Sequence, residues 1–101
     1  MQENNLNICY KVTEKDIQNR LDYNTKDFFN IKTCLSLVKL EKHFIPSSRL
    51  AELVQDGKTA IFPVYAKCEV REIKNYLDGG FTCYLLPYKD YKAFEKYYKS
   101  L

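Results

Sequence analysis

A chain of 101 residues that is 46% hydrophobic and 29% charged can close one apolar core but not two, and it lies far from the composition of disordered chains. Sixteen basic residues face thirteen acidic ones for a net charge of +3. The signs interleave and only Arg20, Arg49 and Arg71 are arginine, so direct nucleic-acid contact by this segment is not expected, and no run reaches the roughly 18 apolar residues of a bilayer crossing.

In chain order, Leu6, Ile8 and Tyr10 share one face of Leu6–Val12 and predict a strand. After the polar turn Thr13-Glu14-Lys15-Asp16, the alternation of Ile17, Asn19, Leu21 and Tyr23 with Gln18, Arg20 and Asp22 predicts a second strand over residues 17–23. Asn24 to Asp27 supply capping side chains, and Phe28, Ile31, Leu35 and Val38 follow at helical spacing. Cys34, Leu37, Leu40 and Phe44 widen that apolar arc. With Lys39, Lys42 and His43 suiting the C-terminal dipole and Pro46 stopping it, this is the longest predicted helix.

Ser47 to Asp56 reads as a short helix closed by Gly57. Thr59 to Tyr65 is β-rich, and Pro63 within it predicts an edge strand or a bend. Lys67 to Leu77 fits strand and helix about equally. Phe81 to Leu86, entered from Asp78-Gly79-Gly80 and ended by Pro87, predicts another strand. Tyr91, Phe94, Tyr98 and Leu101 define an amphipathic helix over residues 88–101, whose apolar last residue suggests a docked end or a chain that continues. The succession predicts an α+β fold: one domain over residues 1–101, a small antiparallel sheet with one long helix and a C-terminal helix packed on it, of strand-helix-strand-strand type.

Chemistry-bearing patterns are few. Cys9, Cys34, Cys68 and Cys83 form no CxxC pair and the chain has one histidine, so neither a metal site nor a cofactor is expected. Without a secretory leader at Met1–Asn5, buried reduced thiols and a cytoplasmic location are expected. His43 could complete a Cys–His pair, yet beside Lys42 a surface position at a helix end is the commoner role. The carboxylates are scattered among lysines, and Gly79-Gly80 leads into a strand, so it is no phosphate loop. No enzyme is expected.

What stands out is aromatic: nine of the chain's tyrosines and phenylalanines fall in its last 37 residues. Ring faces attract organic cations by about 0.5 to 2 kcal/mol each, so the cluster can form a receptive cage; filling a core is the plainer alternative, though buried tyrosine hydroxyls then need partners.

Gly80-Phe81-Thr82-Cys83-Tyr84, followed by Tyr91, Tyr98 and Leu101, resembles the Gly-x-aromatic-x-Cys strand and following helix of the GyrI-like effector-binding domains, the ligand sensors of MerR-type multidrug regulators. The resemblance covers about 20 residues of motif and implies two strand-helix-strand-strand units around a cleft for hydrophobic, often cationic, aromatic compounds. Tyr65, Tyr76, Phe81 and Tyr84 are the nearest candidates to line it, with Tyr88 and Tyr91 beside them. Such domains run longer and place a buried glutamate on a later strand, which this sequence lacks. The expected partner is therefore a small molecule or, alternatively, a protein, a second copy of the chain included, held by a tyrosine-rich surface as in small accessory or phage-type inhibitors.

Overall fold

The computed structural model describes residues 6–18, 28–30, 40–64 and 67–101, with backbone alone for residues 28–30 and 67–70. It is an α+β fold. Strands β1 (Leu6–Val12), β3 (Glu41–Pro46), β4 (Thr59–Val64) and β6 (Thr82–Pro87) form one sheet in the order β3-β1-β6-β4. Strands β2 (Phe28–Asn30) and β5 (Lys67–Glu69) pair antiparallel in a second, two-stranded sheet. Helices α1 (Ser47–Gln55), α2 (Val70–Asp78) and α3 (Tyr88–Lys99) complete the labelled elements, and residues 14–18 are also helical.

Strand β6 explains the layering. Cys83, Tyr84, Leu85 and Leu86 are all buried, as a strand covered on both faces must be. Cys83 and Leu85 join Val12, Ile17 and Ile73 in one core cluster, which lies under α2 and the helical residues 14–18. Tyr84 and Leu86 point the other way, to Cys9, Leu50, Ala51 and Phe94 beneath α1 and α3. Burial of each such leucine contributes roughly 1.5 to 3 kcal/mol.

The sheet is mixed rather than wholly antiparallel. β1 runs antiparallel to β3 and β6, but β4 runs parallel to β6, from Thr59 opposite Thr82 to Val64 opposite Pro87. The reason lies between them, where α2 returns the chain to the end at which β4 began. Both strands leave a helix through the same turn. Gly57 and Gly80 take positive φ, 73° and 90°, and paired backbone hydrogen bonds close each end: Lys58 N–H to the Leu53 carbonyl and Phe81 N–H to the Tyr76 carbonyl are the longer of each pair.

Two further expectations, besides the wholly antiparallel sheet, fail where they can be compared. Residues 17–18, expected to open a strand, are helical, because Thr13 and Asp16 form a capping box: the Asp16 carboxylate accepts from the Thr13 N–H at 2.9 Å and hydroxyl at 2.8 Å, and the Asp16 N–H donates to Thr13 Oγ1 at 3.3 Å. Residues 19–23 lie outside the described residues. The long helix is contradicted at both ends. Phe28–Asn30 pairs with β5, and Glu41–Pro46 makes a six-rung ladder with β1, a ladder that outweighs the helical spacing read into Leu40 and Phe44. The dipole role read for Lys42 and His43 falls with it, and residues 31–39 lie outside the described residues. Lys67 to Leu77, which fitted both patterns, is strand up to Glu69 and helix from Val70.

Pro63 sits in an edge strand, as expected. The Thr82 N–H donates to the Lys58 carbonyl at 2.8 Å, so ladder alternation turns the backbone groups of Ala60 and Phe62 toward β6 and those of Thr59, Ile61 and Pro63 outward. On β1, the Ile8 N–H faces the β6 side and donates to Asp90 Oδ2 at 3.2 Å, which by the same alternation turns Lys42, Phe44 and Pro46 outward from β3. Each sheet edge thus carries a proline where an N–H would otherwise be offered to another strand.

Candidate functional site

A groove of about 680 Å³ runs along the outer side of β4, a volume within the usual range for small-molecule sites. Its floor is Thr59 to Pro63, and its walls come from both faces of the sheet. From one face come Phe62 and Phe81, packed on the cluster under α2, with Tyr76 and Glu72 from α2 itself. From the other face come Tyr91, Phe94, Glu95 and Tyr98 of α3.

Local backbone chemistry builds the first wall. The Phe81 N–H donates to the Tyr76 carbonyl at 3.0 Å through the left-handed Gly80, which fastens residue 81 against the end of α2. The two rings then meet edge to face at 5.1 Å, and Tyr76 meets Phe62 in the same manner at 5.6 Å. Tyr76 is the middle ring of three and is 39% exposed, so it presents its free surface to the groove. In the second wall the rings of Phe94 and Tyr98 lie 5.6 Å apart. Glu95 Oε1 is 3.5 Å from Lys92 and its Oε2 3.7 Å from Lys99, while Glu72 is exposed at the rim.

Of the six aromatic candidates, Tyr76, Phe81 and Tyr91 line this groove together. Tyr84 does not. It is 8% exposed in the core cluster on the far face of β6, and burial pushes its hydroxyl pKa up. Tyr88 stands at the start of α3, 45% exposed, with the Lys92 ammonium 5.9 Å above its ring and away from the groove. Tyr65 lies outside the described residues. Sequence reading passed over Phe62, Glu72 and Glu95, and counted Phe94 and Tyr98 in the aromatic cluster without naming them as lining residues. A signal was present in the spacing of Glu72 to Tyr76 and of Tyr91 to Glu95 and Tyr98, which sets an acid beside a ring on one helix face.

The structure also bears on the Cys–His pair. Cys9 lies directly opposite His43 in the β1–β3 register, so strand pairing, not a helix end, positions the histidine. The thiol is fully buried, its S–H directed at the Asn7 carbonyl 3.7 Å away. Burial foremost, then the Asp90 charge, pushes its pKa up to about 12. Burial likewise pushes Cys83 up to about 11. Both stay thiols at neutral pH, and the His43 ring contacts Tyr84 edge-on at 5.9 Å with Nε2 3.4 Å from Glu41. Cys34 lies outside the described residues. Among the described residues no three metal-ligating side chains come together, and no helix is long and apolar enough to cross a membrane.

The described residues therefore define a small α+β domain with an aromatic groove at one sheet edge. No protein-family model matches the chain, and neither a curated protein nor a solved structure resembles it at a significant level.

Proposed function

We propose that this domain is a ligand-sensing module, of the effector-binding kind found in transcription regulators, that takes a flat hydrophobic or cationic aromatic small molecule into the β4 groove. One observation carries the reading: rings from both faces of the sheet converge on an apolar strand edge, with carboxylates at the rim. The edge itself suits a compact guest better than an added strand, because of the outward-facing residues of β4 Thr59 is buried and Pro63 has no N–H, which leaves only Ile61 to pair through both backbone groups. Buried thiols at Cys9 and Cys83, free of any disulfide, support a cytoplasmic setting.

Calorimetric titration with aromatic quaternary ammonium compounds and their neutral isosteres tests this. Cations should bind more tightly, and Tyr76→Ala should weaken them about fivefold or more, the equivalent of about 1 kcal/mol from one ring. Heat from no compound, or binding indifferent to Tyr76→Ala, would overturn it. A second reading, a protein-interaction or inhibitor domain, is favoured by the other end of the sheet, where Phe44 is 60% and Leu6 52% exposed on paired strands. Capture of a stoichiometric protein partner that Phe44→Ser releases, with no small-molecule response, would select it.

A further inference from the structure

Helix α3 buries Phe94 to 5% exposure, so side chains half a turn away face outward from the sheet. At about 100° per residue, Lys89, Lys92, Lys96 and Lys99 fall within an arc of about 80° opposite Phe94, stacked along about 15 Å of helix axis. No other residue of α3 falls within that arc; Tyr88, 45% exposed, borders it on one side and Ala93 lies farther round on the other. One acid borders it, Glu95, which holds Lys92 and Lys99 at 3.5 and 3.7 Å. The helix's other acid, Asp90, turns inward to the Ile8 N–H. The neighbouring helix α1 adds no excess, since Arg49 is paired with Glu52 at 3.1 Å. Charges that interleave in sequence are thus sorted by the fold into a single cationic stripe, with an excess as large as the whole chain's net charge of +3.

We propose that this stripe docks the domain on the phosphate backbone of duplex nucleic acid. About 15 Å of duplex carries about four phosphates per strand, one for each ammonium. Lysine suits this role, because a flexible point charge holds phosphate without reading bases. A lipid surface fits less well, since the arc itself has no large apolar side chain to enter the acyl region and the one bordering it, Tyr88, carries the Lys92 ammonium over its ring. Glu95 restrains the stripe by engaging two of its four charges.

Fluorescence anisotropy of the full chain with short labelled duplexes of unrelated sequence, over a salt series, tests the proposal, and Lys89 and Lys96, which do not line the groove, separate it from the ligand reading. All duplexes should bind alike, with a log–log salt slope between about 2 and 4. Lys89→Gln with Lys96→Gln should lower the slope by about 2 and the low-salt affinity at least tenfold, whereas Glu95→Gln should raise affinity several-fold. Circular dichroism should be unchanged throughout, because the two lysines face solvent and Glu95, at the groove rim, is replaced by its isostere. A slope near zero, no gain from Glu95→Gln, or tighter binding to phosphatidylserine vesicles than to duplex would overturn it.

Discussion

Tyr76 and Tyr84 stand on neighbouring elements and meet opposite fates. Tyr76 projects beside an edge strand, is touched by two rings at their rims and keeps more than a third of its surface open. Tyr84 projects from the central strand, where α1 and α3 seal it against Leu50, Phe94 and Leu86. The same residue type thus supplies a binding wall in one place and core in the other, and distance from the sheet edge decides which. A dense run of tyrosines in a sequence is therefore two populations, separable only once strand order is known.

The hardest test of that division is to hollow out β6. Leu85→Ala and Leu86→Ala, both fully buried but on opposite faces, should each cost about 2 to 5 kcal/mol. Against a total of about 5 to 15 kcal/mol, denaturant midpoints should fall sharply in both, and a nearly unchanged midpoint for either would mean that its face is not packed. A smaller but more pointed contrast is Tyr84→Ala against Tyr76→Ala. The first should cost about 3 kcal/mol, the second about 1 kcal/mol, while ligand binding is weakened only in the second. The reverse ranking would exchange the two regions. Subtlest is alkaline titration. A thiol held protonated by the fold after the unfolded chain has ionised supports folding fully below about pH 9. That support is lost as pH rises toward about 11 for Cys83 and about 12 for Cys9. Cys9→Ala should flatten the decline in stability above pH 9, as followed by denaturant melts, and native Cys9 should resist alkylation near neutrality.

Local chemistry was legible where it was punctuated. Gly57 and Pro87 marked real boundaries, Pro63 marked an edge, and the β6 and α3 spans came within a residue or two of the observed ones. Failures fell where local spacing pointed the wrong way. Leu40 and Phe44 satisfy helical spacing, while Glu41 to Pro46 carry no alternation that would announce a strand, and the partner that decides, β1, lies thirty to forty residues upstream. Thr13 and Asp16 held a capping signal that the alternation after Ile17 obscured. Of the candidates drawn from aromatic density and the effector-domain resemblance, Tyr76, Phe81 and Tyr91 line one groove, whereas Tyr84 lies in the core, because nothing local tells an inward from an edge-facing ring. Phe62 and Glu72 were missed because the β4–α2 contact is made through tertiary packing.

The strand order also sets when the fold can form. β6 is an inner strand, contacting both β1 and β4, yet it follows β1 by about seventy residues. A growing chain can close the β1–β3 ladder early, but neither core cluster has its middle until β6 arrives. Folding therefore waits on a pairing between strands about seventy residues apart, a distant closure that slows the search. Until then the apolar faces of β1 and β4 wait uncovered, a window in which chaperone capture or proteolysis competes with completion.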